Sequence, residues 1–169
     1  MVSPVKLILL IIALPLPLAG QGADAAPPRQ RVATLTAGTG NALGWFGVQG
    51  ERYWRDRYSG FIGLGYTPAI ELDYPSGATF AAGVRAYAGG YRHRGFLELS
   101  LSQLVLERSF GDDKRRLYGP GLQAGYQWAA SRGFTLMVSL GVGYAPSVRE
   151  GESQVGPLGG LSFGYTWRR

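Results

Sequence analysis

The clearest periodicity in the chain has a repeat of two. In the segment from Leu158 to Trp167, large apolar residues fall at Leu161, Phe163, Tyr165 and Trp167, with Gly160, Ser162, Gly164 and Thr166 between them. The run from Phe134 to Tyr144 repeats the pattern. Successive side chains of a β-strand point to opposite faces, so each run has one bulky apolar face and one nearly bare face. No stretch after residue 30 sustains a 3.6-residue apolar repeat, which argues against helices. Strand-like runs bounded by turn residues predict eight strands, at about 31–38, 43–54, 58–67, 78–89, 95–107, 116–128, 133–145 and 156–167. A linker followed by one long strand over 31–54 is the alternative reading of the first two.

Two environments compete for the bulky face. In a water-soluble barrel it would turn inward, leaving an exterior of Gly, Ser, Thr and Ala with almost no charge between the turns. Soluble surfaces carry more charge than that. Turned outward, the bulky face suits lipid. The expected fold is therefore all-β: an eight-stranded antiparallel up-and-down transmembrane β-barrel with a polar, plugged interior. Most of the runs reach the roughly 9–11 residues that a tilted transmembrane strand needs.

The connections alternate as such a barrel requires. Short turns fall near Arg55-Asp56-Arg57, Tyr91-Arg92 and Ala130-Ser131-Arg132, while longer connections fall at about 68–77, 108–115 and 146–155. Short periplasmic turns opposite long outer loops are the expected layout. Thr39-Gly40-Asn41-Ala42 is an exception, an outer connection that is short. Trp54, Trp128 and Trp167 fall at the turn ends of their strands with Phe134 beside them, and Tyr66, Phe80, Tyr118 and Tyr144 at the opposite ends. Amphipathic rings concentrate at membrane interfaces, so these read as two aromatic girdles.

Parity also sorts the few charges inside the strands. Arg85 lies on the face opposite Phe80, Ala82, Val84 and Ala86, and Glu98 opposite Leu97, Leu99 and Leu101. A tight turn at Tyr91-Arg92 places Arg85 across from Glu98, within cross-strand reach. Glu51 shares the inward parity with Gly47, Gln49 and Tyr53, and Gln123 and Gln127 join from the sixth strand. Eight strands leave room for little more than side chains. A polar network of Arg85, Glu98 and Glu51 is expected to plug the barrel. Arg52 has outward parity, near a strand end from which it can snorkel. The turn end is basic, with Arg55, Arg57, Arg92, Arg94, Arg132, Arg168 and Arg169 against Asp56.

Composition narrows the chemistry. The N-terminus places Lys6 before the apolar run Leu7–Leu14, followed by Pro15, Pro17 and Ala23-Asp24-Ala25. A basic start, a short apolar stretch and an A-x-A site make a secretory signal. The expected organisation is a signal peptide over 1–25, a short lead-in over 26–30 and the barrel over 31–169. Leu18-Ala19-Gly20 is the runner-up cleavage site. Removing 1–25 takes away Lys6 and Asp24, so the net charge of +6 is unchanged. Export and the absence of any RNP-like or helix-turn-helix pattern argue against nucleic acid as a partner.

There are no cysteines and one histidine, which disfavours disulfide, thiolate and transition-metal chemistry. That histidine, His93, sits among arginines at a turn, with no nucleophilic serine in pattern beside it. No catalytic site, cofactor or metal is expected. Gly38-Thr39-Gly40-Asn41-Ala42-Leu43-Gly44 lacks the context and the Lys-Ser/Thr ending of a phosphate loop. Ser109–Arg115 is a mixed-charge loop in which Asp112 and Asp113 are the nearest thing to a calcium site.

With these features together, the chain resembles the small outer-membrane β-barrel proteins of the OmpA and OmpX type. The resemblance is architectural over about 31–167. It is more specific at the end, where Leu161, Phe163, Tyr165 and Trp167 match that family's C-terminal assembly signal. It implies insertion by the outer-membrane assembly machinery, contact with outer-membrane lipid and lipopolysaccharide, and a monomer. Arg168 and Arg169 depart from the pattern by following the terminal aromatic. The implied role is structural or interactive: envelope integrity, adhesion or defence through the outer loops. A narrow pore is the alternative, and a lipid A-modifying enzyme dependent on His93 a further one.

Overall fold

Alternation produces strands throughout. The computed structural model describes residues 30–40, 43–68, 76–104, 117–145 and 154–169. Eight strands run in order: β1 (Arg31–Gly40), β2 (Gly44–Trp54), β3 (Tyr58–Thr67), β4 (Gly77–Gly89), β5 (His93–Leu104), β6 (Leu117–Ala129), β7 (Phe134–Ala145) and β8 (Gln154–Arg168). Each pairs antiparallel with the next, and β8 pairs with β1 to close the barrel. The two-strand reading of residues 31–54 is the one adopted: β1 and β2 are separate and pair from Gly38–Gly47 to Ala33–Arg52. The expected signal segment, the lead-in up to residue 29 and the segment Ser109–Arg115 lie outside the described residues. So do the central parts of the connections after β3 and β7.

Closure requires stagger. The paired residues lead from Thr34 to Glu51, Phe61, Gly83, Ser100, Gly121, Gly143 and Gly156. Gly156 lies beyond Gly160, which is the partner of the last residue of β1. The walk climbs the wall instead of returning to its start, as in any closed barrel of tilted strands. Side chains that share a level inside therefore come from positions that simple pairing does not align.

One end carries Arg31, Arg169 and the three turns at 55–57, 90–92 and 130–133. We call it the turn end, and the other the loop end. Arg55 and Asp56 adopt left-handed φ values of 59° and 57°. Gly133, at φ 100°, closes the third turn by donating from its N–H to the Ala130 carbonyl at 3.0 Å.

Burial runs opposite to that of a water-soluble core. Ile62, Leu64, Leu97, Leu99, Leu101, Leu122, Val138, Leu140 and Phe163 are all exposed on the outer wall, with Leu140 at 71%. Glu51, Arg85 and Glu98 are 3%, 5% and 1% exposed. The interior is not uniformly polar, however. Leu43, Phe61, Phe96, Met137 and Leu158 also point inward, and Tyr53, Tyr87, Phe96 and Met137 form a cluster. The polar network expected from the sequence is thus packed among apolar side chains. Inward glycines make room for the inward rings. A Cβ at Gly125 would lie 2.6 Å from the Val138 carbonyl oxygen and would overlap the Phe96 ring, and one at Gly83 would lie 2.8 Å from the Phe61 ring.

The outer aromatics gather at the strand ends. At the turn end Trp54, Phe134, Tyr165 and Trp167 are exposed. Trp128 packs edge-on to Phe134 with centroids 6.0 Å apart. Trp54 lies over Gly60, where a Cβ would sit 2.9 Å from its ring. At the loop end Tyr66, Phe80 and Tyr144 are exposed, and Phe80 stacks on Tyr118 at 4.9 Å. Trp45 and Phe46 are both exposed although adjacent. Gly44 and Phe46 both pair with Tyr66, a bulge that interrupts the alternation.

Candidate functional site

Among the described residues the interior is where charges, amides and hydroxyls converge. At its centre β4 places Arg85 directly opposite Glu98 of β5, the register that the tight turn between them sets. The Nε of Arg85 donates to Glu98 Oε2 at 2.8 Å, and Nη2 forms an ion pair with the same oxygen at 2.7 Å. Across the lumen, Nη1 pairs with Glu51 Oε2 at 3.1 Å, and Nη2 donates to Gln49 Oε1 at 3.2 Å. Glu51 and Gln49 belong to β2, which is not adjacent to β4. The three residues singled out from parity, Arg85, Glu98 and Glu51, thus meet in one cluster.

Each partner of the cluster is separately held. Tyr87 Oη donates to Glu51 Oε1 at 2.6 Å, and Ser59 Oγ donates to the same oxygen. Gln123 Nε2 donates to Glu98 Oε1 at 2.8 Å, and Gln123 Oε1 accepts from Ser139 Oγ at 3.1 Å. The Arg85 guanidinium also lies 4.2 Å from the Phe61 ring centroid and 5.0 Å from that of Phe96. Two carboxylates facing one guanidinium leave an excess negative charge. The hydroxyls of Ser59 and Tyr87 and the amide of Gln123 meet it with hydrogen bonds, which are strongest to charged acceptors. Phe61 and Phe96 are the residues that sequence reasoning missed here. Their signal was the same parity: Phe96 is two residues before Glu98, and Phe61 pairs with Glu51.

A hydroxyl belt lies below, toward the turn end. Thr166 Oγ1 is 2.8 Å from Thr34 Oγ1 and 2.6 Å from Thr135 Oγ1. Thr34 donates to Tyr53 Oη at 3.2 Å, and Gln127 Nε2 donates to the same oxygen at 3.0 Å. The belt therefore joins β7, β8, β1, β2 and β6 across the closing seam. It includes the inward face of β8, whose outward face carries Leu161, Phe163, Tyr165 and Trp167.

The turn end itself is capped by arginines. Arg94, expected on the solvent rim, instead turns inward and is 6% exposed. It shares the parity of Phe96 and Glu98, which directs it into the mouth. Its Nη2 forms an ion pair with Asp56 Oδ2 at 2.8 Å. Arg31 is also buried, donating to Gln127 Oε1 and, at 2.6 Å, to the Tyr91 carbonyl. Arg168, unexplained by the sequence, donates to Tyr91 Oη at 2.6 Å, with its guanidinium 4.3 Å from that ring's centroid. Arg52 is exposed on the outer wall, as its parity requires.

A cavity of about 30 Å³ lies above the cluster, toward the loop end, with Gln49, Arg85, Glu98, Gln123, Ser139 and Ser162 in its wall. That is room for one or two waters. His93 lies on the outside of the barrel, where its ring faces Tyr126 Oη. Among the described residues no group of three or more His, Cys, Asp or Glu side chains converges as a metal site.

Fold and interior together define a closed eight-stranded antiparallel β-barrel filled by an ion cluster, a hydroxyl belt and aromatic rings. Comparison with family models, curated proteins and solved structures finds no match to this chain.

Proposed function

We propose that this chain is an outer-membrane β-barrel protein, exported through an N-terminal signal peptide, with a structural or surface-interaction role. The observation that carries the reading is the direction of burial. The outer wall presents a continuous apolar belt, with Ile62 at 67% and Leu140 at 71% exposure, while the charged side chains of Arg31, Glu51, Arg85, Arg94 and Glu98 are buried inside. Contiguous exposed apolar surface on this scale is a liability in water and a requirement in hydrocarbon. The belt is bordered by aromatics at both ends, as at a bilayer's interfaces. Closure by β8 on β1 leaves no unpaired sheet edge, which a lipid environment demands.

In this reading the turn end faces the periplasm and the loop end faces outward. The loops would serve envelope integrity, adhesion or defence. The protein is a monomer inserted by the outer-membrane assembly machinery, and it contacts lipid and lipopolysaccharide. The terminal strand, with Leu161, Phe163, Tyr165 and Trp167 outward, is the part that machinery would engage. The reading needs no cofactor and assigns no catalysis to His93.

Heat-modifiable mobility of the protein in purified outer membranes tests the proposal. Folded barrel should migrate differently from boiled barrel and should require detergent for extraction. A protein soluble without detergent, with no mobility shift, would refute it.

The cavity above Arg85 favours one second reading, a narrow pore. Planar bilayers separate the two. A plugged barrel gives no steady conductance, whereas a pore conducts and changes its conductance when Arg85 or Glu98 is replaced.

A further inference from the structure

The described charges are unevenly placed. Apart from Arg85, every arginine among the described residues lies at or near the turn end, and Asp56 is the one acidic residue in the turns 55–57, 90–92 and 130–133. Arg94 takes up Asp56. At the seam Arg31 and Arg168 are direct cross-strand partners. Like charges directly opposite each other are destabilising, and neither has a carboxylate in ion-pair contact among the described residues.

Their remaining donors point to what is missing. Arg168 uses Nη1 on Tyr91 Oη and on the Ser131 carbonyl at 3.2 Å. Its Nε and Nη2, and the Nε of Arg31, are buried with no acceptor. Nε and Nη2 of one guanidinium form its side-on fork, the geometry that takes two oxygens of a phosphate or carboxylate. An unsatisfied donor at a buried site carries a cost that an entering oxyanion would remove. Arg169, next in the chain, and Arg132, in the adjacent turn, are exposed. Immediately outside the seam sit Tyr165 and Trp167, edge-on at 5.2 Å, beside Phe134. Rings of this kind lie at head-group level; Arg169 is at that depth on the outside, while Arg168, with the inward parity of Thr166, reaches Tyr91 at the mouth at the same depth.

We infer that the β1–β8 seam at the turn end is a binding site for the phosphate of an anionic phospholipid, held by the side-on fork of Arg168 with Arg169 and Arg132 around it. Arg31 supplies a second positive charge from within. The inference rests on the outer-membrane reading above. It assigns Arg168 and Arg169, which break the terminal aromatic pattern, to fixing the seam at the inner leaflet.

The test uses the mature chain refolded into vesicles of phosphatidylcholine, alone or mixed with phosphatidylglycerol. Heat-modifiable mobility first establishes insertion. The barrel is then released into mild detergent and its retained lipid identified by native mass spectrometry. The wild type should retain phosphatidylglycerol in preference to phosphatidylcholine. The Arg168→Gln/Arg169→Gln variant should lose that preference by roughly fivefold per arginine removed. Arg55→Gln/Arg57→Gln, in the turn between β2 and β3 and not on β8, should keep it. Arg168→Lys should retain charge but not the fork, and should fall between wild type and the glutamine variant.

Equal loss in both double variants, equal retention of the two lipids, or displacement of the lipid by millimolar inorganic phosphate would each overturn the inference while leaving the membrane reading intact. Failure to insert into either vesicle would remove both. A double variant that loses its mobility shift is replaced by Arg169→Gln with Arg132→Gln, which leaves the buried residues untouched and is expected to weaken retention similarly.

Discussion

Replacing Arg85 by methionine is the sharpest test of how the interior is held. The side chain removed bridges Glu98 at 2.7 Å and Glu51 at 3.1 Å and is almost completely buried. Methionine keeps much of the volume and the contacts with Phe61 and Phe96, so the loss is mainly electrostatic. Breaking a buried pair from one side costs about 3–5 kcal/mol, because an uncompensated charge stays behind. Here two carboxylates are left facing each other, which puts the expected loss at the upper part of that range. Glu51→Gln and Glu98→Gln each leave one carboxylate with Arg85, a balanced pair, and should cost about 1.5–3 kcal/mol on the scale of a charged hydrogen bond. The triple variant Glu51→Gln/Arg85→Met/Glu98→Gln removes every charge and should lie close to wild type, as neutral replacements of buried ion networks often do. The expectation is strong non-additivity: three costly singles and a cheap triple. Urea unfolding of refolded barrel, followed by tryptophan fluorescence and by gel mobility, measures it. If Arg85→Met unfolds within about 1 kcal/mol of wild type, or the triple falls as far as Arg85→Met, the carboxylates are hydrated and the plug is not an ion cluster.

Other consequences follow from the same geometry. Ser59→Ala removes a donor to Glu51 and should cost about 1.5–3 kcal/mol in the same unfolding measurement. Gly125→Ala drives a methyl into the Phe96 ring and should cost about 1–3 kcal/mol; Gly125→Ala with Phe96→Leu should recover much of it, and no recovery would mean that the backbone contact with Val138 is the cause. Leu140→Arg, on the outer wall, should cost about 2–4 kcal/mol in vesicles if that wall meets hydrocarbon near the midplane, whereas a water-facing site would tolerate the change within about 0.5 kcal/mol.

Parity made much of the fold legible. A side chain's face is fixed by its position in the strand, so Glu98, Ser100 and Ser102 could be placed inside and Leu97, Leu99 and Leu101 outside from sequence order. The third strand, 58–67, has the boundaries that the pattern gives, while the fifth begins at His93 where the pattern suggested 95; residues 105–107 lie outside the described residues. Strand ends are set by where pairing partners run out, and a single strand's own sequence does not carry that information. Trp45 and Phe46 show the complementary failure: a bulge places two neighbours on one side, and strict alternation has no sign for it.

The candidate site divides in the same way. Arg85 and Glu98 are joined by a tight turn, so their pairing is a local property and the sequence alone determines it. Arg85 and Glu51 are separated by a whole strand and meet only across the lumen. That meeting depends on closure of β8 onto β1 and on the stagger of the wall, which together decide which inward residues share a level. The belt of Thr34, Thr135 and Thr166, and the convergence of Arg31, Arg94 and Arg168 at the mouth, are decided by the same closure. Sequence by itself determined which side of the wall a residue occupies wherever the strand alternates without a bulge, because that follows from a period of two along one strand. Only the tertiary structure decided which residues face one another across the interior, because that depends on the relative heights of eight tilted strands.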